Sequence, residues 1–255
     1  MSPSPDPQAA ISSALRALVC RTPPAGCCVI DGSTPVLAFG DYETATVATL
    51  GINPSQAEFL ATDGALLAGD QRRLATLSSL GAESLAAMTD EQVDELLANC
   101  RGYFHRKPFK PWFNQLNHSV KGFGADYYDG SACHLDISMW ATDPVWSGVG
   151  ASQRSTLLED GEPALRWLLT HGGFDTVIVN GASAWQQLKT MGVASGEVVA
   201  TTSFGTKFTS VKIMRASLGH TQIVGWSCNV PSAQGMTTAE KVGLGQIVRT
   251  LLDED

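Results

Sequence analysis

The side chains of this chain that can do chemistry gather in a few short stretches. Residues 51–55, Gly-Ile-Asn-Pro-Ser, follow the apolar and β-branched run 47–50. A buried strand ending in such a turn delivers its polar groups at the carboxyl end of a sheet, where open α/β folds keep ligand sites. Gly51 permits close approach of a backbone or ligand, and Pro54 fixes the turn. Ser55 can cap a following helix and leave the N–H groups of its first turn facing the pocket. Asn53 is an amide, no real base, but able to orient a water through its carbonyl oxygen; it can equally cap its own turn. Asp136 sits in Cys133-His134-Leu135-Asp136-Ile137-Ser138-Met139-Trp140. A carboxylate in so apolar a strand is costly unless it is used or paired, with an arginine or with His134. His105, Arg106, Lys107 and Lys110 alternate with Tyr103, Phe104, Phe109 and Trp112. Cations beside aromatic rings suit phosphates and unstacked bases, and the plain alternative is a solvated loop. Near the C-terminus, 229–236 read Asn-Val-Pro-Ser-Ala-Gln-Gly-Met. On its own this is a helix-entry turn, in which Ser232 can also bind a phosphate.

The elements that must position these groups are set by periodicity and punctuation. Residues 9–20 have helical spacing. The runs 27–30 and 36–39 flank Asp31-Gly32-Ser33-Thr34-Pro35 and read as a small hairpin. Strands are expected at 47–50, 132–140, 176–179, 207–216 and 221–226. Helices are expected within 59–80, from Thr89 as cap to about Cys100, at 112–120, 155–170, after Asn180-Gly181, and at 237–252. Thr89 with Gln92 has capping-box spacing. Residues 192–205 read as an irregular insertion. Asn180-Gly181 reads as structural. Alternation of strand and helix predicts an α/β fold, with a central, mostly parallel sheet covered on both faces. Residues 1–10 read as a flexible N-terminal arm and 11–255 as a single domain, with no repeat and no linker.

The 255 residues suffice for one large core, with 44% hydrophobic and 16% charged side chains. No apolar run reaches the roughly 18 residues of a membrane span, and the N-terminus is not a signal peptide. The formal charge of −8 counts against a nucleic-acid binder, although a local basic patch is enough to grip a backbone. Of the six cysteines, none stand as CxxC. Apolar neighbours around Cys28, Cys133 and Cys228 suggest buried thiols in a reducing, cytoplasmic compartment. No group of residues has zinc spacing, and there is no Walker loop or GxGxxG.

Gly51-Ile52-Asn53-Pro54-Ser55 resembles the first motif of the uracil-DNA glycosylase superfamily, which reads Gly-Ile-Asn-Pro-Gly in the mismatch-specific branch. Asn229-Val230-Pro231-Ser232-Ala233-Gln234-Gly235 resembles the second. Together they span about 45–236. The resemblance implies a three-layer αβα sandwich and a monofunctional DNA glycosylase. Such an enzyme flips a deaminated or modified pyrimidine and hydrolyses its N-glycosidic bond without a cofactor or metal. The cysteine spacing gives no support for the iron–sulfur cluster that some branches carry. By the resemblance Asn53 faces the attacking water and Asn229 the departing base, while Ile52, Phe59 and Asp136 surround the base. Phe104, Phe109 and Trp112 are alternatives to Phe59 for stacking. Many members place an Asn near Asp136. A carboxylate, which only accepts, suits the amine of cytosine better than the O4 of uracil. Some bacterial members excise bulky modified cytosines of phage genomes, so both anti-phage defence and repair are within the expectation. Ser55, Arg106, Lys107, Lys110 and Ser232 would hold DNA, and Gln234, Gly235 and Met236 would wedge the duplex. Val230 departs from the His or Asn that precedes Pro-Ser in many branches. That departure keeps open a catalytically weak DNA-binding protein, as the negative charge keeps open a small-nucleoside hydrolase. A monomer is expected, with DNA as partner and no membrane.

Overall fold

The computed structural model describes residues 7–254. Residues 1–6 of the expected arm lie outside the described residues, and Pro7 already opens the first helix, α1 (Pro7–Val19). The fold is α/β, built on one six-stranded sheet. The strands are β1 (Val47–Gly51), β2 (Ala132–Asp136), β3 (Thr176–Asn180), β4 (Glu197–Phe204), β5 (Phe208–Leu218) and β6 (Thr221–Trp226). Their order across the sheet is β2-β1-β3-β6-β5-β4. The first four run parallel, and β5 and β4 continue antiparallel. Every residue of β1, β2 and β3 is buried. Strands buried on both sides need cover on both faces, which the helices supply, giving a three-layer sandwich.

Those helices are α2 (Leu77–Leu80), α3 (Asp90–Arg101), α4 (Lys110–Phe123), α5 (Ala151–His171), α6 (Ala182–Thr190) and α7 (Thr238–Asp253). Their boundaries are chemically marked. Thr89 and Thr237 each close a capping box, with Gln92 and Glu240. Gly124 ends α4 in the left-handed region at φ 108°. Gly122 and Gly245 let α4 and α7 approach backbone to backbone: a β-carbon on Gly122 would strike the Val242 carbonyl, and one on Gly245 the Ser119 carbonyl.

Three expectations about elements are corrected. Segments 27–30 and 36–39 do not pair with each other. They run along β2 and its continuation, through Ile30 N–H to Ala141 O, Val36 N–H to Met139 O, and a reciprocal pair between Phe39 and His134. Their apolar residues are satisfied by covering that edge, which a free-standing hairpin cannot offer. The long helix expected within 59–80 is instead a 3₁₀ turn at Gln56–Glu58, another at Gly69–Gln71, and the single turn α2. Gly64 and Gly69 adopt positive φ and break the helix. The expected insertion at 192–205 contains β4, whose exposed residues could not show a half-buried alternation.

The topology places the site. β1 connects to β2 on one side, and the chain returns to β3 on the other side of β1. The reversal opens a crevice at the carboxyl ends of β1 and β3, the position at which open α/β sheets bind ligands.

Candidate active site at the strand switch

A cleft of about 530 Å³ occupies that crevice. Its walls include Gly51, Ile52, Asn53 and Ser55 after β1, Asp136 at the end of β2, Asn180 to Ser183 after β3, and Ser227, Asn229 and Ser232 after β6. The two motifs, far apart in sequence, thus face one space. Parallel pairing accounts for this: β3 and β6 are neighbours, Asn180 is opposite Trp226, and both strands release their next residues at one edge.

Asn53 is half-buried. Its Nδ2 donates to the Pro54 carbonyl at 2.9 Å and to the Trp140 carbonyl at 3.5 Å. Carbonyls accept only, so the amide nitrogen must face them, and Oδ1 is left to accept a hydrogen bond from a ligand or water. Ser55 does act as a cap, taking the Ala57 N–H at 3.2 Å, but the element it opens is one 3₁₀ turn and not a helix.

At the far side of the sequence, Asn180 organises the second motif. Its Oδ1 accepts from Trp226 Nε1 and from the Val230 N–H, each at 3.0 Å. Its Nδ2 donates to Asn229 Oδ1 at 3.0 Å. With Oδ1 occupied, Asn229 has its Nδ2 free to donate. Val230 is wholly buried, so the residue departing from the motif is a packing residue and offers the cleft no side-chain donor.

Asp136 is buried, and its Oδ1 lies 3.3 Å from His134 Nε2. Of the alternatives open for this carboxylate, the pairing with His134 is the one made. His134 Nδ1 lies 2.7 Å from Thr49 Oγ1, which lies 2.6 Å from the Tyr127 hydroxyl. One arrangement gives every donor an acceptor around a neutral imidazole. Tyr127 donates to Thr49, Thr49 to Nδ1, and Nε2–H to Asp136. The carboxylate is thereby held from behind by a buried chain. Gly51, directly opposite Asp136 in the sheet, is what lets it fit: a β-carbon there would stand 2.5 Å from Asp136 Oδ1.

Glu58 also lines the cleft and was not anticipated. It is 2% exposed and accepts from the Tyr103 hydroxyl at 2.6 Å. Burial pushes its carboxyl up to about 8; Tyr103 and Arg73 pull it down and Asp136 adds to the rise. At neutral pH Glu58 is therefore mostly a neutral acid, able to donate and accept, close to a second carboxyl group. The sequence signal was a Glu just after the turn of the first motif, but its burial was not readable there.

Other expectations are corrected. Phe59 does not line the cleft; it is 1% exposed and belongs to the core. The aromatic rings lining the cleft are Phe39, Trp112, Phe113 and Trp146, of which Trp112 and Trp146 are half-buried; Trp112 was among the alternatives. Phe104 is buried in an aromatic cluster with Tyr103, Phe113 and Tyr127. Arg106 is turned away: its guanidinium binds the Asn99 carbonyl near the end of α3. Lys107 ties down the loop at Asp70 O and Gln71 Oε1, both at 2.9 Å. Lys110 is exposed at the start of α4. None of these three cations lines the cleft. In the expected wedge, Gln234 and Gly235 are exposed, but Met236 is 5% exposed and anchored below the surface.

No helix among the described residues is long and apolar enough to cross a membrane. Among the described residues no three His, Cys, Asp or Glu side chains gather to hold a metal ion. Compared with models of known protein families and with curated proteins, the chain matches none.

Proposed function

We propose that this protein is a monofunctional DNA glycosylase. It takes a flipped pyrimidine into the cleft and hydrolyses its N-glycosidic bond, leaving an abasic site. The observation that carries the reading is that Asn53 and Asn229 line one cleft with complementary free atoms, an acceptor on the first and a donor on the second. Hydrolysis leaves positive charge on the sugar and negative charge on the base, so it needs an oriented water on one side and a donor on the other. Asn53 Oδ1 orients the water. Asn229 Nδ2 faces the leaving base, in place of the side chain lost at Val230. Trp112 offers a half-buried ring for stacking, worth about 1–3 kcal/mol per base. Asp136 accepts from the base edge and Glu58, as a neutral acid, donates to it. That donor–acceptor pair matches the ring nitrogen and exocyclic amine of a cytosine-derived base, including a modified one. Neither motif contains a lysine, so no amine attacks the sugar and strand cleavage is not part of the reaction. The enzyme acts as a monomer in the cytoplasm, where six free thiols are at home.

The test is incubation with oligonucleotides bearing uracil, hypoxanthine, hydroxymethylcytosine or glucosylated hydroxymethylcytosine, and then treatment with alkali. Scission on at least one of the three pyrimidine substrates is expected, with Asn53→Ala lowering the rate by about 10²–10⁴-fold. DNA retention without scission on any substrate would instead indicate a binding protein, and base release from free nucleosides alone a nucleoside hydrolase.

A further inference from the structure

The antiparallel wing of the sheet reaches past the cleft. β5 has 11 residues and β6 only 6. Ile213 is opposite Trp226, the last residue of β6. Because β6 ends at the carboxyl edge, residues 208–212 continue beyond it. Strand β4 accompanies them, with Thr201 opposite Lys212, Thr202 opposite Val211 and Phe204 opposite Phe208. At about 3.3 Å per residue this ribbon overhangs the edge by roughly 16 Å. It is rooted in the cleft wall. Lys212 N–H donates to Ser227 Oγ and Lys212 O accepts the Ser227 N–H, both at 3.0 Å, and Ser227 lines the cleft. Its tip meets the second motif, where a β-carbon on Gly235 would stand 3.7 Å from Lys207 Nζ.

The ribbon's composition departs from that of the chain. Residues 200–212 read Ala-Thr-Thr-Ser-Phe-Gly-Thr-Lys-Phe-Thr-Ser-Val-Lys, without a single Asp or Glu in a molecule of charge −8. Lys207 and Lys212 are exposed. Neither ammonium has a hydrogen bond or ion pair among the described residues. The nearby carboxylate of Glu240 is engaged by Thr237 and the Gly205 backbone. Two unpaired ammonium groups among hydroxyls, at the mouth of a cleft, match an anionic backbone: lysine, serine and threonine are side chains that hold phosphates without reading sequence. Val211 and Ile213, on either side of Lys212, are buried, so the ribbon is packed down and pre-shaped.

We propose that the β4–β5 ribbon is a clamp for the phosphodiester backbone, with Lys207 and Lys212 as its charged contacts. This rests on the reading that the cleft acts on nucleic acid. The test is fluorescence anisotropy of labelled, unmodified duplex and single-stranded oligonucleotides with the full chain between about 50 and 200 mM KCl. Each phosphate contact contributes about 0.9 to the slope of log affinity against log salt for duplex, and about 0.7 for single strands. The Lys207→Gln/Lys212→Gln variant should lose about 1.8 or about 1.4 from that slope and weaken equally on all sequences. Lys189→Gln, at the far end of α6, should leave the slope unchanged. An unchanged slope in the double variant, with thermal midpoint preserved, overturns the clamp and leaves the cleft reading standing. Absence of salt-dependent binding by the unaltered protein overturns both.

Discussion

Glu58 and Asp136 are two acidic side chains in one cleft, and their surroundings differ. Asp136 has an imidazole at hydrogen-bonding distance. Glu58 has a phenol and deep burial, and it holds its proton up to about pH 8. The folded value lies above the ordinary 4.5, so between those two values the native state holds more protons than the unfolded chain. Stability contributed by the neutral form is fully present below about pH 4.5 and is lost as pH rises towards 8, by up to about 1.4 kcal/mol per pH unit. Urea unfolding between about pH 5 and 8 should show this decline, and Glu58→Gln, which keeps a neutral donor and acceptor, should flatten it. An equal slope in both proteins would mean that Glu58 is ionised at neutral pH, and its role as a donor would go.

At the level of elements, the cleft depends on how the loop after β6 is tied to the end of β3. Asn180 makes that tie with one side chain, satisfying two N–H donors and orienting Asn229. Asn180→Ala leaves the Trp226 and Val230 N–H groups without their acceptor, at about 1–3 kcal/mol each. Asn180→Asp keeps the acceptor for both N–H groups, whose bonds to a carboxylate help to hold its buried charge, and replaces the donor to Asn229 by an acceptor. Chemical denaturation should therefore show a loss of at least about 2 kcal/mol for the alanine variant and a smaller one for aspartate. Base excision should fall in both, since each frees Asn229 to turn. Equal stability for the two variants would show that the loop is held by other contacts.

For the molecule as a whole, the charge and the thiols describe its state. A net charge of −8 disfavours a general hold on DNA, so the proposed binding would have to come from local cations. All six cysteines are free, with Cys27, Cys100 and Cys133 buried and Cys20, Cys28 and Cys228 half-buried. Burial pushes the Cys228 thiol up to about 11 and raises those of Cys20, Cys100 and Cys133 as well. Titration with a disulfide reagent at neutral pH should find at most three slowly reacting thiols in the native protein and six in guanidinium, without prior reduction. Fewer than six after unfolding would reveal a disulfide.

How much of this was legible in the chain differs by kind of information. Local signals carried well. Thr89 with Gln92, and Thr237 with its box partner, fix helix starts because a cap needs only residues three apart. The runs 47–50, 176–179 and 221–226 had to be buried strands, and Gly-Ile-Asn-Pro-Ser had to be a turn at the end of one. The sequence also placed Asn53, Asp136 and Asn229 among the groups to watch. It could not show that Phe59 turns into the core while Trp112 turns to the cleft, since both are aromatic residues in apolar company. Nor could it show that Met236 is anchored, or that Arg106 and Lys107 are already engaged by backbone carbonyls. Glu58 was invisible for the same reason: burial is a property of everything that surrounds a residue. Strand order settled the rest. The chain by itself determined which segments are strands and which turns carry amides. Only the pairing of β1 with β3 and of β3 with β6 brought those turns to one edge, because hydrogen bonding between strands joins residues that no local spacing connects.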